Sequence, residues 1–75
     1  MKPGDLVAHK YSYDLYINTE EKPLYRTEVN TMLWEYKKVG IVVYVGTRDY
    51  SPMKWIGILT PNGIGYCYED RIRRV

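Results

Sequence analysis

The side chains able to do chemistry are few and scattered. His9 and Cys67 supply the only imidazole and the only thiol of the chain. A nucleophile needs a base within hydrogen-bond reach, and a structural zinc needs about four ligands. One His and one Cys, 58 positions apart, meet neither requirement. His9, followed by Lys10 at the end of an apolar stretch, reads as a surface or partly packed histidine. Cys67 lies between Tyr66 and Tyr68 and reads as a small buried hydrophobe. Activating its thiol would take exposure and a cationic neighbour such as Arg71 or Arg73. Two carboxylate pairs, Glu20-Glu21 and Glu69-Asp70, are adjacent in sequence. Neighbours along a strand face opposite ways, so neither pair converges on a shared proton. The expectation is a chain with no catalytic residue, no metal site and no cofactor.

Binding chemistry is better represented. Nine Tyr and two Trp stand against no Phe. Such rings have an apolar body and a polar tip, which suits both a thin core and a recognition surface. Tyr11, Tyr13, Tyr16, Trp34, Tyr50, Trp55 and Tyr68 are the candidate partner-binding residues. A second surface comes from charge. The formal net charge is only +2, but the C-terminal end gathers Arg71, Arg73 and Arg74, with Tyr66 available to stack on a base. That edge could meet nucleic acid, although three arginines also serve as a solvated, charged strand edge.

These residues need positioning by a small fold. A chain of 75 residues has room for one domain and is near the lower limit for a self-sufficient core. Pro3-Gly4-Asp5-Leu6-Val7-Ala8 reads as a turn entering a first strand. Tyr11, Tyr13, Leu15 and Ile17 alternate, Asn18 to Pro23 is a polar turn, and Leu24, Tyr25 and Arg26 could return as a second arm. Val29, Met32, Leu33 and Tyr36 fall at helical spacing, with Thr27 as N-cap and Lys37, Lys38 and Gly40 at the end, so one short helix is an open alternative there.

Val39 to Val45 is β-branched and reads as the second strand, Thr47 to Pro52 as a loop, and Lys54 to Thr60 as the third strand. Thr60-Pro61-Asn62-Gly63 makes a tight reversal into a fourth strand, Ile64 to Tyr68. Glu69 to Ile72 reads as one helical turn, and Arg73 to Val75 as a closing strand. In the third strand Trp55, Gly57 and Leu59 share one face and Ile56 and Ile58 the other, so both faces are apolar. Something must cover one of them, either the insert at 16–38 or another chain.

This order resembles the Src-homology-3 type of five-stranded barrel, with a long loop between strands 1 and 2. The fold expectation is therefore all-β, one domain over 1–75. Pro3-Gly4-Asp5-Leu6-Val7, Gly40-Ile41-Val42-Val43 and Leu59 through Val75 are also similar to a group of short proteins of tailed bacteriophages that infect marine cyanobacteria. The chain differs from that group in carrying Leu59-Thr60-Pro61-Asn62-Gly63 where a Trp and an Asp-Gly turn are usual.

Eukaryotic signalling domains of this fold grip proline-rich peptides between aromatic walls. Tyr11, Tyr13 and Trp55 stand in roughly matching places, but Tyr68-Glu69-Asp70 replaces the Pro-containing element, so that mode is not expected. The resemblance implies a non-enzymatic interaction module, a phage accessory or virion protein whose partner is itself, a virion protein or a host protein. A lone cysteine and the lack of a long apolar run point to the cytosol, with no membrane partner, and the phage resemblance implies the cytoplasm of an infected cell or incorporation in the virion.

Overall fold

The structure, a computed structural model, describes residues 1–22, 30–49 and 51–75. It is all-β. The strands are β1 (Leu6–His9), β2 (Leu15–Asn18), β3 (Thr31–Trp34), β4 (Gly40–Arg48), β5 (Ser51–Thr60), β6 (Gly63–Tyr68) and β7 (Ile72–Arg74). A single 3-10 turn, Glu69–Arg71, separates β6 from β7. All strand pairings are antiparallel, in the order β3-β2-β6-β5-β4-β1-β7.

The all-β expectation holds, and among the described residues the strands form one antiparallel sheet of seven that backbone hydrogen bonds do not close. The helical alternative gives way to β3, whose four residues pair one-to-one with β2, Leu15 opposite Trp34 and Ile17 opposite Met32. The physical reason is Trp34. Helical spacing through Met32, Leu33 and Tyr36 would leave it off the apolar stripe, whereas strand spacing turns it inward to complete burial. The proposed return arm at Leu24 to Arg26, together with Pro23, Thr27, Val29 and Tyr50, lies outside the described residues.

The interval 47–52 is also shorter as a loop than expected. β4 runs on to Arg48 and β5 begins at Ser51. Two register shifts, at Val42/Tyr44 and Thr47/Arg48, bend β4, which pairs with β1 through Ile41 and Gly40 and with β5 along its length. The sheet curls as a result. Its shortest dimension, 19 Å, corresponds to two sheet layers at about 10 Å each. Inside the curl lie Val7, Leu15, Ile17, Trp34, Val42, Ile56, Ile58, Cys67 and Ile72.

The turn into β6 follows the sequence reading. The Thr60 hydroxyl donates to the Gly63 carbonyl at 2.9 Å and accepts from the Asn62 N–H at 3.1 Å. Gly63 takes φ +124°, a backbone conformation that a side chain would strain. At the β3–β4 connection Lys37 adopts φ 65°, and the Trp34 indole N–H donates to the Lys38 carbonyl at 2.8 Å. Among the described residues no helix is long and apolar enough to cross a membrane.

Candidate protein-binding face

The register of β4, β5 and β6 sorts their side chains onto two faces. Val42, Ile56, Ile58 and Cys67 point into the core. On the outer face the cross-strand partners form rows. One row is Gly46–Trp55–Tyr68, and the next is Tyr44–Gly57–Tyr66. The third is Ile41–Leu59–Ile64, and β1 extends it by pairing Leu6 with Ile41.

The first two rows form a packed aromatic cluster. Trp55 stacks on Tyr66 with centroids 6.3 Å apart and planes at 10°. Tyr68 meets Trp55 edge-on at 4.9 Å, and Tyr44 meets Tyr66 edge-on at 6.2 Å. The Arg48 guanidinium lies 4.8 Å from the Trp55 ring centroid. Gly57 makes the packing feasible. A β-carbon there would come within 2.8 Å of the Tyr66 ring and 2.9 Å of Tyr44 Cβ. Aromatic rings thus close over Gly57. Trp55 is almost fully buried, and its indole N–H donates to the Glu21 carbonyl at 2.6 Å. The Glu21 backbone therefore covers this end of the outer face.

The other end is uncovered. Leu6, Ile41, Leu59 and Ile64 are exposed by 51%, 41%, 43% and 47%, respectively. The Val75 N–H donates to the Leu6 carbonyl at 3.0 Å, which sets Val75 beside Leu6 and continues the row. The result is an aliphatic stripe of four residues on β1, β4, β5 and β6, flanked by Val75 just beyond the end of β7. Large contiguous apolar patches of this kind mark interaction sites on soluble domains.

The remaining candidates from sequence divide into separate places. Tyr11 and Tyr13 pack together at 5.4 Å in the β1–β2 connection, Tyr13 exposed and Tyr11 against the core. Tyr16 is exposed on β2, opposite Leu33. Trp34 is wholly buried and Trp55 nearly so, which corrects the assignment of both to a partner surface. Tyr66 joins the aromatic rows, whereas Arg73 and Arg74 lie on β7 at the far end of the strand order. Arg74 engages Asp5 at 3.4 Å. Arg73 and Arg74 thus stand apart from Tyr66 in the strand order, while Arg71, in the 3-10 turn after β6, acts on the neighbouring Cys67.

His9 differs from its expected partly exposed placement. It is buried, with Nε2 3.2 Å from the Trp34 carbonyl and Nδ1 accepting the Tyr11 N–H at 3.3 Å. That pairing assigns the proton to Nε2. The ring meets Trp34 edge-on at 5.2 Å and links β1 to the end of β3. Cys67 is buried as well. Burial pushes its thiol up to about 12, with Arg71 pulling it down and Asp70 pushing it up. Among the described residues no three His, Cys, Asp or Glu side chains converge as a metal site would require.

The sequence reading had picked out Trp55, Gly57 and Leu59 as one face but not Ile41, Ile64 or Leu6. The tight turn at 61–62 contained the missing signal, because it fixes Leu59 opposite Ile64. No family model, curated protein or solved structure matches the chain.

Proposed function

We propose that this chain is a non-enzymatic protein-interaction module that holds a protein partner on the outer face of its β1–β4–β5–β6 surface. One observation carries the reading: the aliphatic stripe Leu6–Ile41–Leu59–Ile64 stays exposed while Trp55, at the centre of the neighbouring aromatic rows, is sealed by the Glu21 carbonyl and Arg48. Every strand under the stripe is hydrogen-bonded on both sides, so the surface offers side chains rather than a free backbone edge.

The segment order β7-β1-β4-β5-β6, with a 3-10 turn leading into β7, supports reading these five strands as a Src-homology-3-like barrel. In that reading β2 and β3 form a hairpin added within the long first connection, and the His9–Trp34 bond draws the curled sheet together. The phage resemblance gives the setting, an accessory protein in the cytoplasm of the infected cell or a component of the virion.

A photo-crosslinking side chain at position 59, with position 20 as control, tests the reading in infected cells and purified virions. Protein adducts specific to position 59 are expected. Their absence from both would overturn it. Adducts to nucleic acid, lost with Arg73→Glu and Arg74→Glu, would instead favour the basic edge.

A further inference from the structure

We infer that the occupant of the aliphatic stripe is a second copy of this chain, packed about a two-fold axis that passes between Ile41 and Leu59. The inference rests on reading the stripe as the binding face.

The residue order suits self-pairing. Along the register the stripe runs Leu6, Ile41, Leu59, Ile64. A two-fold axis at its centre sets Leu6 against Ile64 and Ile41 against Leu59, so that each leucine meets an isoleucine in both directions. An isologous interface needs this kind of self-complementary patch. The chemistry agrees. The stripe has no side-chain donor or acceptor and no charge, so it offers nothing to a phosphate or a polar peptide. Two copies at net charge +2 repel one another only weakly.

The size also fits. With exposures between 41% and 67%, the four residues and the adjoining Val75 present on the order of 400–500 Å², or roughly 1,000 Å² between two copies, near the lower limit for a specific interface. Such a dimer forms and dissociates with concentration rather than remaining permanent. A small domain whose core holds nine buried residues among those described also gains from the extra burial.

Sedimentation velocity of the full chain over a hundredfold concentration range tests this. The expected result is a monomer–dimer equilibrium. Leu59→Lys and Ile41→Glu, both on exposed positions, should each weaken it at least tenfold while leaving the circular dichroism spectrum unchanged. Mixing the two variants should restore a heterodimer, because the new lysine and the new carboxylate then face one another across the axis. A wild-type chain that stays monomeric throughout overturns the inference. So does a dimer that survives both substitutions, or a mixture that fails to reassociate. If the chain is monomeric and position 59 still crosslinks to another protein, the second copy is ruled out while the protein-binding face stands. If neither association is found, both readings fall.

Discussion

The Trp55 indole N–H and the Glu21 carbonyl meet at 2.6 Å, joining residues 34 positions apart. Through this bond the polar segment after β2 folds back over the outer face of β5. It decides which part of an apolar surface is sealed and which part is left open. Trp55 is sealed among Tyr66, Tyr68, Arg48 and the Glu21 backbone, while Leu59, four residues on along the same face, is exposed.

Trp55→Phe keeps most of the apolar area but loses the donor. We expect a loss of about 1 kcal/mol in urea unfolding, against ~3–5 kcal/mol for Trp55→Ala. Cleavage by a Glu-specific protease after Glu20 and Glu21 should also rise in Trp55→Phe under conditions where the fold stays intact. Unchanged cleavage would show that the indole bond does not hold the segment down.

His9 ties β1 to β3 with an imidazole where an aromatic ring alone would satisfy the packing. His9→Phe preserves the edge-on contact with Trp34 but leaves the Trp34 carbonyl and the Tyr11 N–H without their partner. A cost of ~1–3 kcal/mol follows from two polar groups left unpaired. Amide exchange at Tyr11 should speed up more than exchange in β5, which distinguishes loss of this link from general loosening.

Residues 39–75 were largely legible in the sequence because the dominant signals there are local. Once Thr60-Pro61-Asn62-Gly63 is taken as a tight turn, the pairing of Leu59 with Ile64, Gly57 with Tyr66 and Trp55 with Tyr68 follows by counting outward. Residues 9–38 were legible only in part: the alternation through Leu15 and Ile17 marks β2, but the strand after it left no local signal. Thr31-Met32-Leu33-Trp34 has a strand identity only because β2 lies beside it and the core takes in Trp34. Local spacing left a helix open as an alternative, and tertiary pairing decided against it. The exposed stripe was hidden in the same way. Leu6 and Ile41 join it through the β1–β4 register, which no local pattern specifies.

Cys67 makes a pH-dependent contribution whose sign is set by burial. Its thiol rises from 9.0 to about 12 in the fold, so the native state holds this proton more tightly than the unfolded chain does. The stabilisation is complete below pH 9 and is lost as pH climbs from 9 toward 12. The stability advantage of the native chain over Cys67→Ala should therefore narrow across that window, a comparison in which the titration of tyrosines and lysines cancels. At pH 8 a thiol reagent should modify Cys67 only as fast as the protein unfolds, and rapid modification of the native chain would contradict its burial.

Gly65 is required by the β2 side chain that crosses it. A β-carbon at this position would run into the end of Ile17 and come within 3.1 Å of the Met32 sulfur. Both neighbours belong to the hairpin, and Ile17 is 2% exposed, so there is little room to give. Gly65→Ala should destabilise by ~1–3 kcal/mol through overpacking. The same change combined with Ile17→Val, which deletes the methyl closest to the new carbon, should cost less than the two single changes added together. Chemical denaturation of the four chains gives the coupling directly. A double change less destabilising than the sum by at least about 0.5 kcal/mol would show that β2 packs on β6 through this contact. Additive effects would mean that the hairpin rests on the sheet elsewhere.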